Sequence, residues 1–223
     1  SVGAASGDPV ELFAYTNSSG SAQTVYLAVD HYDGIRGNLL RVVFSANYNL
    51  VFPSGGAGAM TAYGHPAAPG CISVAAVFYG DVASGGKLEP DTQNINAQPF
   101  TSKGGIGADG VPIFFDAAGQ VLPNGPIRRD FPDIAAADGG NTSFFGIDLS
   151  IGPVDGATFD ADSFPNFIGT SAAAANAAAS AALLLQRMPG LTPAQMKSLL
   201  RETARDIVAV SPASVTGADD RTG

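Results

Sequence analysis

The sequence has few of the features that mark several common classes of protein. It contains one cysteine in 223 residues, Cys71, which excludes an intrachain disulfide and a cysteine-based metal cluster. No stretch reaches the ~18 consecutive apolar residues of a membrane span. The 11 basic residues are outnumbered by 20 acidic ones and form no long run, which disfavours nucleic acid as a partner. The first residues also show no charged n-region and no h-region, so no signal peptide is predicted there.

The composition that remains is that of a folded domain. Hydrophobic residues make up 45% of the chain and charged residues 14%, which suffices for one sizeable core with or without a small additional module. Cys71 begins the apolar run 71–77, so we expect a buried and unreactive thiol.

Residues 1–60 predict a small antiparallel β module. Residues 10–15, 24–30 and 39–44 have the β-branched and aromatic residues of strands, and residues 17–20 form a turn signal. The stretch 54–59, rich in glycine and alanine, indicates a junction. The module is either a recognition surface or a packing accessory.

Residues 61–223 predict an α/β domain with a parallel sheet. The continuous apolar run 72–79 is typical of a strand that is buried on both faces, and residues 111–115 and 132–136 indicate shorter strands. A helix is predicted from Thr170 to Arg187, buried at the centre of the fold because its many alanines permit close packing. A second helix begins at Thr192, whose capping box would be completed by Gln195.

The start of the first helix is the candidate functional site. Ser171 follows a small-residue turn, so its hydroxyl would lie beside the unpaired, partly positive amides of the first helical turn. Such a serine can act as a nucleophile next to an anion site, or it can simply cap the helix. The residues alone leave both interpretations open.

A serine nucleophile needs a base, and the sequence supplies few candidates. The two histidines are His31, in the β module, and His65, in a loop; structural roles are expected for both. Ala173 stands where a Gly-x-Ser-x-Gly elbow requires glycine, which disfavours an α/β-hydrolase. No pattern of metal-ligand spacing is found, so no metal site is predicted.

Five segments, in order along the chain, resemble the C-terminal part of the catalytic domain of subtilisin-like serine proteases (subtilases). They are residues 70–77 (Gly-Cys-Ile-Ser-Val-Ala-Ala-Val), 100–104 (Phe-Thr-Ser-Lys-Gly), 129–136 (Arg-Asp-Phe-Pro-Asp-Ile-Ala-Ala), 169–174 (Gly-Thr-Ser-Ala-Ala-Ala) and 191–195 (Leu-Thr-Pro-Ala-Gln) with 203–204 (Thr-Ala). The resemblance implies the C-terminal portion of a parallel-sheet catalytic core at 61–223, preceded by a β-rich insert at 1–60.

The resemblance also implies a function and its residues. Ser171 would form the acyl-enzyme with a peptide or protein substrate, with Thr170 supporting the oxyanion hole. The catalytic Asp and His and the oxyanion Asn would belong to the N-terminal half of the catalytic domain, before residue 1, so this chain alone is expected to be inactive. Subtilases are often secreted and often bind calcium, although no calcium site can be assigned from these residues and no other cofactor is expected.

Three positions depart from the family pattern. Ala137 and Ala175 replace usual prolines, and Asn176 replaces a usual histidine that is not the catalytic one. The two replaced prolines leave an alternative open: a non-catalytic relative that binds peptides or another protein.

Overall fold

The computed structural model describes residues 14–28, 30, 62–84, 87–88, 95–143, 146, 148, 162–205 and 207. The chain divides into two compact units, Ser1–Val51 and Phe52–Gly223. This division lies before the boundary that the sequence predicted at residue 60.

The described part of the first unit is organised around a turn. The Asn17 side chain accepts the Ser19 N–H at 3.0 Å and donates to the Ser21 carbonyl at 2.6 Å, which confirms the predicted turn. No strand occurs at residues 14–28 and 30, so the strand prediction is wrong for the described parts of 10–15 and 24–30. These residues are exposed and bury no apolar face, without which a two-stranded hairpin is marginal. The third predicted strand, 39–44, lies outside the described residues.

The second unit is built around a parallel pair of strands, β1 (Val74–Phe78) and β6 (Ile134–Asp138). Their register pairs Val74 with Ile134 and Phe78 with Asp138. Four of the five β1 residues are buried, as the uninterrupted apolar run predicted. The predicted parallel sheet is therefore present, and the architecture is α/β.

Short elements connect the two strands. Helix α1 (Tyr79–Val82) follows β1 and leads to the antiparallel pair β2 (Ala83–Ser84) and β3 (Lys87–Leu88). A second antiparallel pair, β4 (Val111–Ile113) and β5 (Ile127–Arg129), precedes β6. Strand β4 corresponds to the strand predicted at 111–115, and β6 to the one predicted at 132–136.

Helix α2 (Thr170–Arg187) has the predicted bounds and packs on β1 and β6. Its contact face consists of Ala172, Ala173 and Ala177, whose small side chains let the helix approach the sheet closely. The prediction that the whole helix is buried is wrong: Leu183 is 68% and Leu185 42% exposed. Among the described residues, the sheet covers only one side of the helix.

Helix α3 (Pro193–Thr203) begins with the predicted capping box. The Thr192 hydroxyl accepts the Gln195 N–H at 3.3 Å, while the Gln195 side chain accepts the Thr192 N–H at 2.9 Å. Pro193 occupies the first helical position, where it has no N–H that would need an acceptor. Met196 is the buried residue of this helix. The local signals therefore define where this helix starts.

Candidate active site

The site lies at the carboxyl end of the parallel pair, where β6 ends at Asp138. The chain leaving β6 pairs with the segment that precedes α2: the Gly139 N–H donates to the Phe167 carbonyl at 2.8 Å, and the Phe167 N–H donates to the Gly140 carbonyl at 3.0 Å. This pairing places the start of α2 beside the end of the strand. Ligand sites of open α/β sheets occur at this edge.

A buried amide side chain reinforces the pairing. Asn166 is fully buried, and its Nδ2 donates to the Gly139 carbonyl and to Asn141 Oδ1, both at 2.9 Å. Gly146 lies so close to the Asn166 carbonyl that a Cβ at position 146 would overlap it. The loop before the helix is therefore fixed on several sides by short-range contacts.

Ser171 is the second residue of α2 and is exposed. Gly169, two residues before Ser171, has φ 131°, a backbone conformation that favours glycine. The Gly169 carbonyl accepts the N–H groups of Ala172 at 3.0 Å and Ala173 at 3.2 Å. The Ser171 N–H precedes these first intrahelical bonds, so it belongs to the amides that can bind an anion. Thr170, the first helical residue, is half-buried beside it.

Asp138 connects this turn to the sheet. Its carboxyl group is fully buried, and it accepts the Gly169 N–H at 2.8 Å and the Gln98 side-chain amide at 3.2 Å. Burial raises the pKa of Asp138, while these two hydrogen bonds act in the opposite direction. The sequence analysis missed both Asp138 and Gln98; the one available signal was an acidic residue directly after an apolar strand.

The structure does not place His65 near Ser171. His65 is exposed in a 3₁₀ turn, His65–Ala67, whose Pro66 carbonyl is bound by Arg129. Arg129 also pairs with Asp133, directly before β6, so this turn lies at the amino end of the strands. A five-residue strand at about 3.3 Å per residue puts roughly 13 Å between the two ends. His31 lies outside the described residues.

Two of the three departures from the family pattern, Ala137 and Asn176, contact each other. The Asn176 Nδ2 donates to the Ala137 carbonyl at 2.8 Å, one turn along α2 from Ser171. This bond links the helix to the penultimate residue of β6. The replacements therefore leave the helix attached to the sheet next to the candidate nucleophile.

Cys71, expected to be buried, is partly buried.

Comparison with known proteins decides the family. A sequence model of peptidase S8, the subtilase family, matches residues 12–223. The chain belongs to the subtilase family. Subtilases are serine proteases, so the subtilase match supports a hydrolase function of the serine protease type, with a peptide or protein as substrate. The same comparisons match no curated protein and no solved structure.

Two further properties of this subtilase chain concern metals and membranes. Within the described ranges, no group of three or more histidine, cysteine, aspartate or glutamate side chains is arranged to hold a metal ion. The expectation about calcium stays a prediction, since much of the chain is outside those ranges. None of the helices described here has the length and hydropathy of a membrane span.

Proposed function

We propose that this chain provides the nucleophile, Ser171, of a subtilisin-like serine endopeptidase. The observation on which the proposal depends is the placement of an exposed serine at the start of α2, at the carboxyl edge of the parallel pair, in a chain of the subtilase family. A helix-capping serine would serve the helix N–H groups with its hydroxyl. Here the Gly169 carbonyl already accepts the N–H groups of Ala172 and Ala173.

The geometry supports acyl transfer. Ser171 Oγ attacks the carbonyl carbon of the peptide bond, and a histidine base takes its proton. The carbonyl oxygen becomes an oxyanion, which the Ser171 N–H and the positive end of α2 stabilise, with Thr170 as support. The intermediate then expels the amine, which receives the proton from the base, and water hydrolyses the ester left on Ser171.

The base and its carboxylate partner are proposed to come from outside residues 1–223. His65 lies at the opposite end of the strands, and the family pattern has the Asp and His before the serine. The exposed apolar side chains of α2, Leu183 and Leu185 among them, supply a surface on which the N-terminal half of the catalytic domain can pack. Secretion or another extracytoplasmic location is proposed from the family alone.

A fluorophosphonate probe tests the role of Ser171, because it forms a covalent bond only with an activated serine. In the complete protein that contains this chain, we expect labelling of Ser171, mapped by peptide mass spectrometry, and its loss in Ser171→Ala. Ser180→Ala is the matched control: Ser180 lies on the same helix, is exposed, and its hydroxyl donates to the Asn176 carbonyl at 3.0 Å. Undiminished labelling of Ser171→Ala would remove Ser171 from the mechanism.

A second test uses residues 1–223 alone. Because triad members act as a unit, we expect hydrolysis of a fluorogenic peptide to be orders of magnitude slower than with the complete protein. Hydrolysis at a comparable rate, abolished by Ser171→Ala, would show that His65, His31 or a second copy supplies the base.

The alternative, a non-catalytic relative that binds peptides or a protein, rests on the replacement of two prolines, by Ala137 and Ala175. It predicts peptide binding without labelling by the probe. Subtilases carry the catalytic aspartate and histidine in the motifs Asp-Ser/Thr-Gly and His-Gly-Thr-His, and a sequence before Ser1 that lacks either motif would favour this alternative.

A further inference from the structure

Gly169 links strand β6 to helix α2, which carries Ser171. Its N–H is bound by the Asp138 carboxyl group, and its carbonyl is bound by the amides of Ala172 and Ala173. Both sides of this residue are thus held, one by the strand and the other by the helix. A rotation about the Gly169 backbone, which already has φ 131°, would change the direction of both Ser171 Oγ and the Ser171 N–H.

The Asp138 carboxyl group, which binds the Gly169 N–H, is unfavourable to bury in its ionised form. Asp138 is fully buried, and the donors to its carboxyl group, which are the Gly169 N–H, the Gln98 amide and its own N–H, are all neutral. By contrast Asp133, at the other end of β6, pairs with Arg129 and Lys197. Transfer of a carboxylate out of water is unfavourable unless strong hydrogen bonds compensate. A neutral amide at position 138 would avoid that cost.

A carboxylate nevertheless has one advantage over an amide at this position. Each of its oxygens accepts, and charge-assisted hydrogen bonds are shorter and stronger than neutral ones. An asparagine would accept the Gly169 N–H with its one oxygen and would direct its NH₂ group at Gln98, whose amide would have to turn its Oε1 toward it. The bond to Gly169 would then be a neutral one, weaker than the bond to a carboxylate. The arrangement therefore favours an aspartate at this position.

We propose that Asp138 is a positioning residue for Ser171: its carboxyl group fixes Gly169 and thereby the direction of the Ser171 hydroxyl and amide. This inference rests on the proposed function of Ser171. Asp138 does not touch the substrate in this mechanism. It acts through Gly169, and Gln98 keeps the carboxyl group in place from the opposite side.

The test compares Asp138→Asn with Asp116→Asn in the complete protein. Asp116 is a matched control because it is exposed and its carboxyl group accepts loop amides, those of Ala118 at 2.9 Å and Gln120 at 2.8 Å. We expect Asp138→Asn to lower kcat and the rate of fluorophosphonate labelling by about 10- to 100-fold, the range for a slightly misplaced catalytic group. KM should change little, since Asp138 does not touch the substrate in this mechanism, and Asp116→Asn should leave kcat, KM and the labelling rate unchanged.

A spectroscopic measurement separates positioning from a general loss of structure. With [¹⁵N]glycine labelling, the Gly169 amide proton should resonate downfield in the wild type because its acceptor is a carboxyl group. It should move upfield and exchange faster with solvent in Asp138→Asn, while the other resolved glycine amides stay in place. Should Asp138→Asn fail to fold, a scalar coupling across the hydrogen bond between Gly169 ¹⁵N and Asp138 ¹³Cγ tests the contact in the wild type, where its presence supports the proposal and its absence overturns it.

The outcomes distinguish this inference from the proposed function. A wild type that the probe labels, combined with unchanged reactivity of a folded Asp138→Asn, overturns the positioning role and leaves Ser171 as the nucleophile. A wild type that the probe does not label overturns the proposed function, and with it the positioning role in catalysis. The Gly169 resonance then still reports whether Asp138 holds the turn.

Discussion

The strongest stability prediction concerns the buried ion cluster at the amino end of the sheet. Asp133, directly before β6, accepts the Ser73 N–H at 2.7 Å and the Ser73 hydroxyl at 2.8 Å. Its carboxyl group also pairs with Arg129, and with the Lys197 ammonium at 2.8 Å. One carboxylate thus connects β1, β5, β6 and α3. The substitution Asp133→Asn removes its charge with almost no change of shape.

The magnitude follows from what the substitution leaves behind. Breaking a buried ion pair from one side costs about 3–5 kcal/mol, because the remaining charge is buried without its partner. Here both cations keep other acceptors: Arg129 and Lys197 each donate to the Cys71 carbonyl, at 2.7 and 3.0 Å. The Lys197 side chain is also 18% exposed and partly hydrated. We therefore expect the lower end, about 3 kcal/mol, or roughly 6–12 °C in Tm for a unit of this size.

Urea unfolding followed by far-UV circular dichroism measures this difference. Asp116→Asn is again the control, since it removes an exposed carboxylate that bonds only within its own loop, and it should cost much less. Hydrogen exchange should in addition speed up in α3 for Asp133→Asn, because Lys197 has lost its partner on the sheet. A loss of stability no greater than that of Asp116→Asn would refute the claim that this cluster holds the elements together.

Two further predictions concern pH and packing. Burial raises the pKa of Asp138 above the ordinary value of 3.8, so this group binds its proton more tightly in the folded state than in the unfolded state between 3.8 and the higher folded value. The free energy of unfolding should therefore fall as the pH rises through that window, and Asp138→Asn should reduce this fall. If urea unfolding gives the same pH dependence for the variant as for the wild type, Asp138 is not the group responsible. Ala173→Leu should destabilise the protein by about 1–3 kcal/mol, because Ala173 is fully buried against the sheet. Ala174→Leu is the control and should be nearly neutral, since Ala174 is exposed. Similar changes in Tm for the two variants would show that α2 does not pack closely at this point.

Local signals in the sequence predicted the elements of the second unit well. The apolar run at 72–79 contains β1, and both long helices have bounds that follow from Pro189 and from the capping box at Thr192. These predictions succeeded because the determinants lie within a few residues of the element itself. The prediction of strands at 24–28 failed because strand residues also need a partner and a buried face, which periodicity alone cannot supply.

The candidate site was predictable only in part. The position of Ser171 at a helix start follows from the local sequence, and the structure has it there. The contact between Asp138 and Gly169 spans 31 residues, and the one between Gln98 and Asp138 spans 40. The first depends on the pairing of residues 139–140 with Phe167, and the second on the attachment of Gln98 to β1, neither of which a local pattern determines. The exposure of Leu183 likewise depends on what packs against α2, so an alanine-rich sequence could not predict it.

The two aspartates that flank the β6 core have opposite physical roles. Asp133 has two cationic partners, so its charge stabilises the fold, and its neutralisation should lower stability. Asp138 has neutral donors, and burial raises its pKa, so its ionisation opposes folding, and its replacement by asparagine should cost less stability than that of Asp133. A residue that weakens the fold while holding the turn before Ser171 is what a site-specific role requires, since sites often retain interactions that reduce stability. The pair Asp133→Asn and Asp138→Asn should therefore separate the two effects: the first mainly loses stability, and the second mainly loses the reactivity of Ser171.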